Sequence, residues 1–95
     1  MNIHDFDKNI KPLLRNYSFE YSFFADGEFG NLERIEFEGC GKLGTIDIWS
    51  NGWLSIDIYD CILDKQVMNV IYSPEEKQSC KTGVEVFLRI LLNEK

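Results

Sequence analysis

Two runs of strictly alternating apolar and polar residues flank the turn at residues 50–52, and this pattern limits the possible folds most strongly. Such alternation is typical of half-buried β-strands, so the segment predicts a β-hairpin. A two-residue Asn-Gly loop would place Ile48 opposite Ser55 and mix apolar and polar side chains on one face. A three-residue loop, with Gly52 in the left-handed conformation, pairs Ile48 with Leu54 instead. We therefore predict the three-residue loop.

This register sorts the side chains of residues 44–60 onto two different faces. Isoleucine and leucine occupy one face, which we expect to be core. The other face carries three cross-strand pairs: Trp49 opposite Trp53, Asp47 opposite Ser55, and Thr45 opposite Asp57. Two indoles beside two carboxylates are more typical of a contact surface than of a catalytic centre.

Composition limits the class of protein. A chain of 95 residues with 44% hydrophobic and 14% aromatic content predicts one folded domain, residues 1–95, and excludes general disorder. The net charge of −6 disfavours nucleic acid and anionic membranes as partners, because both repel an acidic protein. The same charge fits either a basic protein partner or a simple need for solubility.

The N-terminus and the cysteines indicate the compartment. Residues 1–7 lack a basic region followed by an apolar run, so we expect no signal peptide, and no stretch approaches a membrane span. The three cysteines, Cys40, Cys61 and Cys80, are widely spaced and odd in number. They fit neither a disulfide framework nor a zinc site. We expect reduced, mostly buried thiols in the cytoplasm, with no metal or other cofactor.

The N-terminal third predicts a helix followed by strands. Apolar residues at helical spacing predict an amphipathic helix over residues 3–16, which Pro12 kinks or splits. Alternating aromatic residues over 17–23 predict a first strand with an aromatic inner face. A glycine-rich turn at 25–31 precedes a second strand over 34–38.

The C-terminal third predicts a strand and then a helix. Residues 64–65 form a turn, and residues 66–72 predict a fifth strand. Ser73, Pro74 and Glu76 match a capping box with proline at the first helical position, so we expect a helix from there to about Leu92. Gly83 inside this helix indicates a close approach to a neighbouring element.

This order of elements predicts an α+β domain of two layers. Four or five strands form an antiparallel meander sheet, and the N- and C-terminal helices pack on its isoleucine face, since each apolar surface needs a cover. The face with the tryptophans and aspartates then stays more open.

Three motifs that suggest enzyme chemistry have simpler explanations. Residues 39–44 match G-x-G-x-x-G, but they lead into a strand, whereas a nucleotide site needs a helix there. His4 lies near a chain end. Asp47 and Asp57 could act as an acid–base pair, but they sit two rungs apart on an open sheet with no evident cleft. We therefore expect no enzymatic activity.

Carboxylates recur on the outward side of the predicted strands: Glu20, Glu36, Glu38, Asp47 and Asp57. One interpretation is that outward charges prevent sheets from aggregating. The other is a recognition surface for a basic protein, because Trp49 and Trp53 lie among these carboxylates, as anchors do in interfaces. The tryptophans themselves have two interpretations, interface anchors or residues buried under a loop or helix.

The sequence Gly-Thr-Ile-Asp-Ile-Trp-Ser-Asn-Gly-Trp-Leu-Ser-Ile-Asp-Ile-Tyr-Asp, in a small acidic chain with a capped C-terminal helix, resembles bacterial immunity proteins. These are encoded beside contact-dependent growth inhibition and other polymorphic toxins. The resemblance covers residues 17–92 in layout, and residues 44–60 carry its specific part. It implies a cytoplasmic protein that neutralises one cognate toxin, often a basic nuclease, by covering its active site or substrate channel.

We therefore expect an immunity protein with an acidic surface and a basic toxin as partner. A small adaptor or regulatory binding domain is the alternative, and an enzyme ranks third. The hairpin register, rather than the resemblance, selects the expected binding residues: Glu36, Glu38, Asp47 and Asp57 for charge, and Trp49, Trp53 and Tyr59 as apolar anchors.

Overall fold

Five antiparallel strands and two helical segments build the protein, and the structure, a computed structural model, describes residues 1–92. The N-terminal helical segment consists of helix α1 (Ile3–Asp5), a π-helical turn (Phe6–Ile10) and a 3₁₀ turn (Lys11–Leu13). The strands are β1 (Ser18–Gly27), β2 (Gly30–Gly39), β3 (Lys42–Trp49), β4 (Leu54–Asp60) and β5 (Lys65–Tyr72), followed by helix α2 (Lys77–Leu91). The strands lie in sequence order, which confirms the predicted meander and the α+β class.

The central hairpin has the predicted register. Ile48 pairs with Leu54, Ile46 with Ile56 and Asp47 with Ser55. Gly52 has φ +97°, and its N–H donates to the Trp49 carbonyl at 2.9 Å, which closes the three-residue loop. The left-handed conformation favours glycine because a Cβ would be strained there.

The turn between β2 and β3 is a tight two-residue loop. Cys40 and Gly41 have φ values of +51° and +76°, as a two-residue type I′ hairpin requires at both central positions. The glycines of the G-x-G-x-x-G match therefore join two strands, and no helix begins there.

The core lies between one face of the sheet and the helical segments. We call this the inner face; its central positions are filled by buried isoleucines of β2, β3 and β4, and Phe87 and Leu91 of α2 pack against them. Phe37 links the layers, because its ring meets Phe87 edge-on at 5.5 Å. Burial of this apolar surface is the main term that stabilises the fold.

The N-terminal helix is shorter and less regular than predicted. It ends at Leu13 rather than at residue 16, and it changes from α to π to 3₁₀ geometry within eleven residues. Pro12 lacks an N–H and cannot donate the bond that a regular helix needs there, as the predicted split anticipated. The apolar residues at helical spacing nevertheless face the core, since Phe6, Ile10 and Leu14 are all buried.

The alternating aromatic residues of β1 point to the inner face, as predicted, but two of them are not buried there. Phe19 packs edge-on against Phe6 at 5.5 Å, whereas Tyr21 is 43% and Phe23 61% exposed. β1 is an edge strand, and the N-terminal segment covers its aromatic side chains only in part: the Tyr21 hydroxyl donates to Asp7 Oδ1 at 2.6 Å, yet much of the side chain stays exposed. Tyr17 precedes the strand and is buried, with its hydroxyl donating to the Leu91 carbonyl at 2.7 Å.

Helix α2 begins three residues later than its capping motif predicts. Glu76 accepts a hydrogen bond from the Ser73 N–H at 3.0 Å, and its own N–H donates to the Ser73 carbonyl, so residues 73–76 close a turn before the helix. Gly83 does mark a close approach, since a Cβ there would lie 2.2 Å from the Tyr72 hydroxyl.

The expected burial of the cysteines is wrong for two of the three. Cys40 and Cys61 lie in exposed turns, and Cys80 on α2 is half-buried. All three are free thiols.

Candidate protein-binding surface

The candidate surface is the sheet face that points away from the helices, which we call the outer face. Because side chains alternate along strands, every second residue belongs to it. It comprises Ser18, Glu20, Ser22, Phe24, Leu32, Arg34, Glu36, Glu38, Leu43, Thr45, Asp47, Trp49, Trp53, Ser55, Asp57, Tyr59, Gln66, Asn69 and Ile71. All seven residues expected to bind a partner lie on this face.

At the centre of the outer face, Asp47 is not a free charge. The Arg34 Nε donates to its Oδ1 at 2.8 Å and Nη2 to its Oδ2 at 3.2 Å, so the pair is bidentate. Asp47 is only 8% exposed. The hydrogen bond to Asp47 raises the pKa of Arg34, against an opposing effect of desolvation. Asp47 therefore has its charge compensated within the sheet, which sequence reasoning missed.

Arg34 is held from a second side. The guanidinium carbon lies 5.4 Å from the centroid of the Phe24 ring, a distance that permits a cation–π contact. Phe24 itself is half exposed. The sequence contained one indication of this pairing, since Arg34 is the one cation among the residues of the outer face.

Three glutamates remain exposed on the outer face. Glu20 and Glu36 lie directly opposite each other on β1 and β2, and Glu38, opposite Ser18, is the next residue of β2 on the same face. With Leu43 and Thr45 they line a shallow depression of about 540 Å³. Like charges placed directly opposite destabilise a sheet, so this arrangement lowers stability unless a cation approaches.

Asp57 and Tyr59 each form a hydrogen bond with a neighbouring side chain. Asp57 accepts a hydrogen bond from Gln66 Nε2 at 2.7 Å, and both side chains remain partly accessible. The Tyr59 hydroxyl donates to Asp64, which raises the pKa of the tyrosine. The Tyr59 ring is therefore fixed in place, while its hydroxyl has a partner within the chain.

An aromatic cluster of Phe29, Trp49 and Trp53 forms the opposite end of the outer face. Phe29 stacks on Trp53 with ring centroids 4.4 Å apart and planes 13° apart, and it meets Trp49 edge-on at 5.5 Å. All three side chains are half-buried. The tryptophans thus fall between the two interpretations, since a turn residue covers them in part and leaves the rest accessible.

Sequence reasoning missed Phe29, which lies in the tight turn between β1 and β2. Two hairpin turns hold it there: the Asn51 N–H donates to the Phe29 carbonyl at 3.3 Å, and the Ser50 N–H to the Asn31 carbonyl at 2.8 Å. The Ser50 hydroxyl also accepts from the Asn31 N–H at 2.8 Å. The only indication of this role in the sequence was the presence of an aromatic residue inside a glycine-rich turn.

Charge is unevenly distributed between the two layers. Residues 18–64, which contain the first four strands, have ten Asp and Glu but only Arg34 and Lys42 as cations. Within the described range, Lys8 and Lys11 lie in the N-terminal segment, and Lys77, Lys81 and Arg89 lie in α2. The sheet layer is therefore strongly anionic, and the helical layer is mixed.

Features that would indicate other kinds of site are absent from residues 1–92. No group of three His, Cys, Asp or Glu side chains in this range could hold a metal ion. No helix in the same range is long and apolar enough to cross a membrane. His4 is exposed in α1.

Comparisons with protein-family models, with curated proteins and with solved structures found no match to this chain.

Proposed function

We propose that this protein is a cytoplasmic immunity protein that binds a basic toxin through its outer face and blocks the active site of that toxin. The observation that carries the proposal is the combination on one face of exposed glutamates and a half-buried aromatic cluster. Interfaces commonly combine aromatic anchors with a polar rim. The resemblance of residues 44–60 to immunity proteins gives the proposal its biological setting.

The exposed carboxylates supply the electrostatic part of binding. Glu36 and Glu38 project from β2, and Asp57 adds a third carboxylate two strands away. On a basic nuclease they would occupy the positions of substrate phosphates, and complementary charge speeds association. The repulsion between Glu20 and Glu36 is relieved when a cation binds between them, so binding recovers stability that the free sheet lacks.

The aromatic cluster supplies the apolar part of binding. Trp49 and Trp53 are held by Phe29 and by the hairpin turns, so little side-chain entropy is lost when they bind. Tyr59 is similarly fixed by Asp64. Asp47 contributes by holding Arg34 rather than by contacting a basic partner directly.

The cytoplasm is the proposed location, and three free thiols support it, because thiols stay reduced there. A small adaptor domain would use the same outer face. The gene neighbourhood distinguishes the two, since an immunity gene lies directly downstream of its toxin gene.

The test uses the product of the gene directly upstream as the candidate toxin. We expect the purified protein to bind that product and to protect cells that express it. The double variant Glu36→Lys, Glu38→Lys is expected to bind at least about tenfold more weakly and to lose protection. The matched control is Glu75→Lys, Glu85→Lys, which makes the same charge change at exposed positions of the helical layer and is expected to behave like wild type.

Two results would contradict the proposal. Absence of binding and protection by the wild-type protein would reject the immunity function. Equal binding by the two double variants would leave the function standing but would remove the outer face as its interface.

A further inference from the structure

Strand β5 is a free edge of the sheet. In the described part of the chain, β5 pairs with β4 on one side and with no strand on the other. One row of its backbone N–H and C=O groups therefore has no strand partner. A long exposed edge of this kind is a template for pairing with another chain.

Charge distinguishes β5 from the rest of the sheet. Strands β1 to β4 each contain at least one Asp or Glu, whereas β5 contains none and begins with Lys65. Two copies of a protein with net charge −6 repel each other over most of their surfaces. Among the strands this repulsion is weakest at β5, so a second copy can approach the sheet most easily at this edge.

The other edge of the sheet is protected against such pairing. β1 carries Glu20 and Asp26, and its register with β2 shifts after Phe24. Asp26 has φ +59°, which marks an irregular edge. Charges and irregularities on edge strands oppose pairing between copies.

An uncharged groove of about 580 Å³ lies beside β5, between this strand and α2. Residues of both elements line it, and none of its lining residues carries a charge. Val67, Val70 and Tyr72 form the strand side, and Thr82, Gly83 and Val86 form the helix side. The groove could accept apolar side chains that project from a strand added to the edge.

We propose that two copies of this protein associate through antiparallel pairing of their β5 strands, which gives one continuous sheet of ten strands. The interface is isologous, so each copy presents the same edge and the same groove to the other. Apolar side chains on the inner face of the second copy's β5 enter the groove and supply the apolar part of the interface. The glutamates and the aromatic cluster of both copies stay accessible, so this inference does not depend on the proposed function.

Sedimentation equilibrium over a range of protein concentrations tests the proposal. We expect the mass of the wild-type protein to rise from 11.1 kDa towards twice that value. Ile71→Lys adds a charge at the pairing edge and is expected to shift the mass towards the monomer. Leu43→Lys is the matched control, because Leu43 is similarly exposed (44% against 52% for Ile71) on the same face but lies in an interior strand.

A second variant tests the groove without altering the sheet. Thr82→Arg places a large cation in the groove from an exposed position of α2, and we expect it to be monomeric as well. A wild-type protein that stays monomeric at every concentration would overturn the proposal. So would a dimer that survives both Ile71→Lys and Thr82→Arg, or one that Leu43→Lys disrupts equally.

Discussion

Arg34 and Asp47 face each other across β2 and β3 and share two hydrogen bonds, at 2.8 and 3.2 Å. This bidentate pair lies among the exposed carboxylates of the outer face, and Asp47 is the least accessible residue of that face. Because Asp47 is almost fully covered, its carboxylate depends on Arg34 for compensation. The pair therefore contributes to the stability of the sheet, while its neighbours Glu36 and Glu38 remain available to a partner.

The first prediction concerns this pair. Asp47→Ala is expected to lower the free energy of unfolding by about 1–3 kcal/mol, because it leaves the half-buried Arg34 without its acceptor. Asp57→Ala, which removes an acceptor for Gln66 on the same face, is expected to cost less. Urea unfolding of both variants compares the two costs, and equal losses would show that the Arg34–Asp47 pair adds nothing specific.

Alternation made the central hairpin predictable from the sequence. A shift of one residue would have placed Ile48 opposite Ser55 and mixed apolar and polar side chains on each face, so the apolar pattern permits one register only. The same reasoning placed all expected binding residues on one face. It could not show that Asp47 is paired, because the position of Arg34 depends on the register between β2 and β3, which the hairpin pattern does not contain.

Local motifs were less reliable than alternation. The capping motif at residues 73–76 closes a turn instead of starting the helix, because the Glu76 carboxylate can accept from the Ser73 N–H in either arrangement. Phe29 could not be predicted, since its place beside Trp53 depends on contacts between two hairpin turns. Such contacts are distant in sequence and leave no periodic signal.

The second prediction concerns Gly52. Gly52→Val is expected to destabilise the protein by more than about 1 kcal/mol, because a β-branched residue is strained at φ +97°. A Cβ at this position would also lie 3.1 Å from the Pro74 Cβ. Gly52→Asn, which tolerates the left-handed conformation better, is expected to cost less in thermal unfolding. Equal stability of the valine and asparagine variants would contradict the backbone strain assigned to this position.

The third prediction concerns the stack of Phe29 on Trp53. Each alanine variant, Phe29→Ala and Trp53→Ala, loses stability, and the double variant is expected to lose less than their sum. The difference is a coupling energy of about 1 kcal/mol for an aromatic pair in contact. Additive losses in the double-mutant cycle would mean that the two rings do not support each other.

The same cluster distinguishes a role in binding from one in folding. Trp49→Ala is expected to weaken partner binding by about 2 kcal/mol or more if Trp49 is an anchor. A residue that serves only the core would instead lower stability by about 3–5 kcal/mol and leave the affinity of the folded fraction unchanged. Affinity and thermal unfolding, both measured on this variant, show whether Trp49 serves binding or folding.

The fourth prediction concerns Tyr17 and alkaline pH. Burial raises the pKa of Tyr17 from 10.0 to about 12, with a smaller contribution from Cys40. The folded state thus favours the neutral form of Tyr17. The stability that this preference adds is fully present below pH 10 and is lost as the pH rises towards 12.

Tyr17→Phe is the variant that tests this. At neutral pH we expect it to be about 1 kcal/mol less stable than wild type, because the Leu91 carbonyl loses its donor. In alkaline solution the advantage of the wild-type protein is expected to shrink. Unfolding curves for both proteins across this range measure the difference, and a constant difference would contradict the assigned cause.

The central claim is that the anionic outer face captures a basic toxin, and its most direct test is the association rate constant with the product of the upstream gene. We expect the rate constant of the wild-type protein to fall several-fold between low and physiological salt, while the dissociation rate changes less. The Glu36→Lys, Glu38→Lys variant is expected to associate slowly at low salt and to lose most of this salt dependence. A wild-type rate constant that does not change with salt, or an equal response in the variant, would contradict the account.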